Sequence, residues 1–174
     1  AYQVHIDLAP GATEEVVFAI GQGRDRDDAV RLATEWQDVA RARAAEADIP
    51  ALWSRRLGAV EVRTPDPAFD LIVNRWLLYQ TFSSRILARS GFHQSGGAYG
   101  FRDQLQDMLA VLPAEPHRVR AHIIECASRQ FTEGDVLQWW HPPSGRGVRT
   151  RCSDDMLWLP YVTARYVAST GGFR

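Results

Sequence analysis

The sequence predicts a mainly α-helical chain whose strands are confined to its first residues. Residues 2–8 alternate apolar and polar, with Tyr2, Val4, Ile6 and Leu8 on one face, and residues 15–20 (Glu-Val-Val-Phe-Ala-Ile) are rich in β-formers. From residue 26 onward, apolar residues recur at helical spacing instead. Proline, glycine and capping residues punctuate that second part. Strands followed by helices give three stretches: the end of a sheet (1–22), a helical linker (23–63) and the opening helices of an all-α domain (64–174).

The first two strands would pair as a hairpin around Pro10-Gly11. A lone hairpin is marginal in water, so it is expected to join a larger sheet. Gly21-Gln-Gly-Arg-Asp-Arg26 leads into a helix from Arg26 to Ala47, with Val30, Ala33, Trp36, Gln37, Ala40 and Ala44 at helical spacing and Pro50 as its stop. Residues 51–63 are mixed and contain a short strand-like Ala-Val-Glu-Val. Asp66 is the N-cap and Pro67 the first residue of a helix over 67–89. Phe69, Ile72, Val73, Trp76, Leu77, Tyr79, Gln80 and Ile86 make that helix apolar over more than half its circumference. It should be buried in a complete domain and unusually exposed in this chain alone. A Gly/Ser-rich loop over 90–100 follows, then helices at 102–112 and 116–131. Residues 134–152 read as irregular, and Ser153 as the N-cap of a last apolar helix, 154–169.

The 174 residues carry a net charge of −1, so a general nucleic-acid or polybasic membrane surface is excluded. All 20 basic residues are Arg, which removes every lysine-based mechanism from this chain. Cys126 and Cys152 do not make a disulfide framework, and a reducing compartment is the default. No apolar stretch approaches 18 residues and no signal peptide opens the chain. It starts within a strand-like pattern without an initiator Met, so it is expected to be a piece of a larger protein.

Gly21-x-Gly23 stands where a dinucleotide fingerprint would, but Arg26 occupies the third glycine position and no parallel βαβ pattern surrounds it. A strand-to-helix turn is the reading. His122, Cys126, His141 and Cys152 match no compact zinc spacing, so a buried thiol and a satisfied histidine are expected, with no metal and no cofactor. Two segments carry more. In Gln94-Ser-Gly-Gly-Ala-Tyr-Gly-Phe-Arg-Asp-Gln-Leu-Gln-Asp107, a glycine-rich loop runs into Arg102, Asp103, Gln106 and Asp107. Asp103 and Asp107 share a helical face, which is unfavourable without a partner such as Arg102 or a polyhydroxyl ligand. In Gln138-Trp-Trp-His-Pro-Pro-Ser-Gly-Arg-Gly-Val-Arg-Thr-Arg-Cys-Ser-Asp-Asp155, Trp139 and Trp140 suit stacking on sugar rings. Arg146, Arg149 and Arg151 bring positive charge beside Asp154 and Asp155, which the helix dipole stabilises as anions unless a pocket raises one into an acid.

These two segments, the second continuing as Arg151-Cys-Ser-Asp-Asp-Met-Leu-Trp-Leu159, closely resemble family 94 of the glycoside hydrolases, the inverting β-glucoside phosphorylases. The Trp-Trp-His-Pro-Pro version is most similar to the C-terminal region of bacterial cyclic β-1,2-glucan synthases. The resemblance covers 64–174 strongly and 1–63 weakly. It implies an α/α toroid of six helical hairpins, preceded by a linker helix and the last strands of a β-sandwich. This chain would hold the end of the sandwich, the linker and the first part of the toroid, with most phosphate-binding residues beyond it.

The resemblance implies phosphorolysis of a β-glucan or β-linked disaccharide, with inorganic phosphate as co-substrate and an α-glucosyl phosphate as product. An inverting hydrolase needs two carboxylates; anionic phosphate attacks without a base, so one acid suffices. By motif that acid is Asp154, with Asp155 the alternative. Arg102 and Asp107 resemble residues that hold the hydroxyls of the sugar losing its bond; Asp103 and Gln106 are lesser candidates. Cys152 stands where relatives place an aromatic. The remaining partners implied are the rest of the parent chain and a second copy in a homodimer. The location implied is the cytoplasm, or the cytoplasmic face of a membrane-anchored parent. Two other readings stay open: a non-catalytic glucan-binding or length-gauging domain that uses the Trp pair, and an inverting toroid hydrolase with a second carboxylate for water.

Overall fold

The computed structural model describes residues 3–87, 97–142 and 144–172. The chain divides into two compact units, Ala1–Leu52 and Trp53–Arg174. Among the described residues no helix is long and apolar enough to cross a membrane.

In the first unit the expected strands are absent: described residues 3–22 form no ladder. Their alternation is real, but Val4, Ile6, Leu8, Phe18 and Ile20 are all exposed, with no second layer to pack on. Without that layer an isolated pair of strands is not held together. Helix α1 (Arg26–Glu35) is capped by Asp25, which accepts from Asp28 N at 2.8 Å. The Asp28 carboxyl is drawn down to about 2, first by the Arg24 backbone N–H and then by the Arg31 and Arg24 side chains. Gly21-x-Gly23 is irregular chain before that cap, and Gly23 is needed for contact, since a Cβ there would lie 2.6 Å from Ala29 Cα.

The expected single helix 26–47 is two helices. Asp38 interrupts it and starts α2 (Val39–Leu57) by accepting from Ala40 N at 2.8 Å. Pro50 lies inside α2 and does not end it. A proline there forfeits one helical bond. Beyond it, Trp53 and Leu57 pack on the core of the second unit, and Arg55 and Arg56 complement the dipole of the last turn.

The second unit begins with a helical run at the predicted place. Asp66 caps it, accepting from Ala68 N at 2.9 Å and Phe69 N at 3.3 Å, and Pro67 opens it. The strand-like stretch before it is no strand; the Asn74 amide holds it, exchanging bonds of 2.6 and 2.8 Å with Val62 N and O. The run comprises α3 (Pro67–Leu71), a π-helical segment Ile72–Trp76, α4 (Leu77–Gln80) and a second π-helical segment Thr81–Leu87. Leu78 and Phe82, four residues apart, are its buried positions, while Leu71 is 65% exposed and Ile72, Trp76 and Leu77 are exposed as well. The remainder of the predicted run, to residue 89, and most of the loop 90–100 lie outside the described residues.

Strand β1 (Tyr99–Gly100) leads into α5 (Phe101–Val111), and α6 (Pro116–Ala127) follows, both close to prediction. Residues expected to be irregular form a hairpin, β2 (Leu137–His141) and β3 (Arg146–Arg149). It completes an antiparallel three-stranded sheet in the order β1-β2-β3. Gly147 permits the close pairing, since a Cβ there would lie 2.9 Å from the Trp140 Cβ. Helix α7 (Asp155–Thr170) closes the unit. The core gathers on α5, where Phe101, Leu105, Met108 and Val111 meet Phe82, Val119, Ile123, Trp140, Val162 and Tyr166.

Two carboxylates are buried among the described residues, Asp155 and Glu115. Glu115, 9% exposed, accepts from Arg56 Nε at 2.6 Å and also pairs with Arg118. Burial by itself would raise its carboxyl, but Arg118 and Arg56 together outweigh burial and hold it below the usual value. Removing one partner of such a group leaves two guanidinium groups uncompensated. Glu115→Ala should therefore lower stability by about 3 kcal/mol in denaturant titration at neutral pH. Because the folded carboxyl is depressed, the wild-type advantage is full above the unfolded value and fades as pH falls through the folded one.

Candidate active site

The first turns of α5 and α7 meet. Arg102 Nη1 lies 2.8 Å from Asp154 Oδ2, across 52 residues of sequence. The other oxygen of Asp154 accepts from Cys152 Sγ at 3.4 Å. Asp154 is the N-cap residue of α7 but makes no side-chain cap bond, because Arg102 and Cys152 take its carboxylate. Ser153, the expected cap, is exposed and does not serve. Asp103 lies beside this pair, its Cγ 3.2 Å from where a Cβ on Gly100 would be.

The two carboxylates at this turn have opposite characters. The Arg102 guanidinium, followed by the Cys152 thiol, holds Asp154 below the usual carboxylate range. Asp155, 4% exposed, is pushed up, first by burial and then by the charge of Asp154. Asp154 is the half-exposed member and faces solvent.

Other predicted site residues lie elsewhere. Asp107 points to the helical run, where Arg85 Nε donates to its two oxygens at 3.0 and 3.1 Å. Arg102 and Asp107 therefore do not pair with each other. Gln106 is exposed on α5. Trp139 is partly buried, edge-on to His141 with centroids 5.3 Å apart. Trp140 is corrected from a sugar platform to a core residue: it is 0% exposed, against Tyr99 at 5.6 Å and under Arg129 at 5.4 Å. Alternation along β2 turns the two indoles to opposite faces, and only one face is wet. Arg149 does not serve the Asp pair. It binds Asp135 at 2.6 and 2.7 Å and Glu133 at 3.0 Å, and lies over Phe131. Cys126 is a buried thiol, pushed up to about 12 by desolvation, with His122 Nε2 at 3.4 Å from its sulfur.

Sequence reasoning missed two contributors. Arg85 had no local signal, being 22 residues from its partner. Trp158 acts on Asp154 through its side chain, and its i, i+4 spacing was a signal available in the sequence.

Two aspartates of opposite character thus stand at one helix start, fronted by an arginine and open to solvent on the Asp154 side. The family model described as the glycosyl hydrolase 94 superfamily, catalytic domain, matches residues 52–173, and the chain belongs to that family. It is 45% identical over 98% of its length to the cyclic beta-(1,2)-glucan synthase NdvB of Rhizobium meliloti. It is 32% identical over 94% of its length to the N,N'-diacetylchitobiose phosphorylase of Vibrio proteolyticus, and 29% to that of Vibrio furnissii. The chain spans 6% of the length of the synthase and 24% of each phosphorylase.

The opposed carboxylates give a test by pH. A folded-state value raised above the unfolded one favours folding only where the group is protonated, and the benefit is lost as pH rises through the folded value. Asp155→Asn should thus stabilise the chain at neutral pH relative to wild type. The gap should close as pH falls below the ordinary carboxylate value, in thermal melts at both ends.

Proposed function

We propose that this chain supplies the acid end of an inverting phosphorylase site that cleaves β-glucosidic bonds. Inorganic phosphate attacks the anomeric carbon from one face. A carboxylic acid protonates the departing glycosidic oxygen on the other, and an α-glucosyl phosphate leaves. Most of the phosphate contacts lie in parts of the parent protein outside this chain, and no cofactor takes part. In the parent, residues 64–174 form the first part of an α/α toroid, 23–63 its linker and 1–22 the edge of a β-sandwich. Given its relatives, the substrate is a β-linked glucan or disaccharide. In a cyclic β-1,2-glucan synthase, such a domain would trim glucan and set chain length.

The observation that carries this reading is the Arg102–Asp154 pair, which brings a multiple donor and a solvent-facing carboxyl to one point from two separate motifs. Arginine offers only donors and ionised aspartate only acceptors, so the pair reads sugar hydroxyls in both senses. Asp107, fixed by Arg85, adds a second acceptor from α5. Asp154 is the proposed acid because it alone of the pair is exposed enough to meet a glycosidic oxygen. The alternative, Asp155, is favoured by one observation, its upward shift, which suits an acid that must hold a proton near neutral pH. A non-catalytic glucan-binding role is less well supported, since Trp140 has no face to offer.

The test is incubation of the full-length parent with β-1,2-, β-1,3- and β-1,4-glucans plus phosphate, following α-glucose 1-phosphate. Asp154→Asn should cut phosphorolysis by about 10²–10⁴-fold with the fold intact. Activity near wild type in Asp154→Asn, with Asp155→Asn dead, would assign the acid to Asp155. Arg102→Ala or Asp107→Asn should lower kcat/KM by at least about tenfold, measured well below each variant's melting temperature. Free glucose in place of the phosphate ester would mark a hydrolase.

A further inference from the structure

The Cys152 thiol lies close to both carboxylates. Its Sγ and one oxygen from each of Asp154 and Asp155 lie within 4.8 Å of one another. The 3.4 Å bond is to Asp154 Oδ1, while Arg102 holds Asp154 Oδ2. Each oxygen of Asp154 thus has a different donor, and these two, with Trp158, constrain the plane of the carboxylate. Cys152 is half-buried, in the turn directly before α7, so its position follows that of the helix start.

We propose that Cys152 is a positioning residue for Asp154: its thiol donates to Oδ1, orients the carboxylate and keeps that oxygen from turning toward Asp155. The proposal rests on Asp154 being the acid of the site. A thiol is a weak donor and a thiolate is none, so the role requires the S–H form. The bond to Asp154 first, then partial burial and the charge of Asp155, push the Cys152 thiol above its usual range, so it remains S–H at neutral pH. Among the described residues, the groups facing Asp154 are Arg102 and Asp103 on α5, Cys152 in the turn, and Asp155 and Trp158 on α7. Of these, Cys152 and Trp158 are the neutral donors, and Cys152 is the one whose bond is made from the residues before the helix rather than from the helix itself. Serine keeps the donor in nearly the same volume; alanine removes it.

Two measurements on the full-length parent decide the matter. The first is the pH dependence of iodoacetamide alkylation at Cys152, read by peptide mass spectrometry, which needs no enzymatic activity. Replacing Asp154 by Asn removes the charge that holds the thiol protonated, so the alkylation midpoint should fall by about half a pH unit or more. An unchanged midpoint overturns the contact itself. The second is the pH profile of kcat/KM for phosphorolysis, whose alkaline limb reports the acid. Cys152→Ala should move that limb upward by about half a pH unit, because the ionised form of Asp154 loses a donor, while Cys152→Ser should restore the wild-type profile. Identical limbs in wild type and Cys152→Ala, with Asp154→Asn inactive, overturn the positioning role and leave the phosphorylase reading standing. An active Asp154→Asn removes both the assignment of the acid and the role of Cys152 built on it.

Discussion

Everything at the site depends on how α5 is buried. Phe101, Leu105, Met108 and Val111 form its apolar stripe, and packing on α6, α7, the sheet and the second π-helical segment leaves the helix no freedom to roll. A helix held on one stripe has all its other directions fixed. Arg102 is thereby aimed at the start of α7, and Asp107, a little over one turn later, at Arg85. In the sequence the two residues read as a single sugar-binding unit. The packing sends them to separate partners, and a ligand held by both would have to span the face between the helical run and α7.

The start of α7 shows how neighbouring residues of one type acquire different chemistry. The helix dipole favours both aspartates as anions. What separates them is solvent and one guanidinium. Asp154 keeps water and Arg102, so its carboxyl is lowered; Asp155 loses water and lies beside a like charge, and these outweigh Arg102 and Cys152 and push its carboxyl up. The pair is split by its surroundings, burial acting on one carboxyl and a guanidinium on the other. Arg102 accounts for the largest part of the Asp154 side of that distinction and burial for the largest part of the Asp155 side.

What was legible in the sequence was whatever depends on near neighbours. Asp66 and Pro67 announce a helix start by capping chemistry, and α5, α6 and α7 follow from apolar spacing. Asp38 was as good a start signal, but the apolar spacing running through it masked the break between α1 and α2. The β2–β3 hairpin was hidden because Pro142 and the glycines around it read as loop, although Val136-Leu-Gln-Trp-Trp140 is rich in strand formers. The first strands failed in the opposite way: the alternation at residues 4–8 is a pattern for one face of a sheet, and a pattern does not supply the sheet. Of the site, the Arg and Asp residues were found by motif, but which cation meets which anion was not. Arg149 is near Asp154 in sequence and pairs with Asp135; Arg102 is far from it and pairs with it. Pairing over such distances is decided by the core.

The Arg102–Asp154 bond also sets a condition on catalysis. With Arg102 in place, Asp154 is held ionised, the wrong state for an acid. Both side chains are substantially exposed, so solvent screens the pair and a ligand competes for it at small cost. On the proposed reading, a sugar hydroxyl that accepts from Arg102 takes away the donor that depresses Asp154. The largest of the groups that depress the Asp154 carboxyl is then shared with the sugar, while Cys152 and Trp158 still act on it. An arginine suits this exchange: it stays charged throughout and has enough donors to share between carboxylate and hydroxyl as the sugar enters.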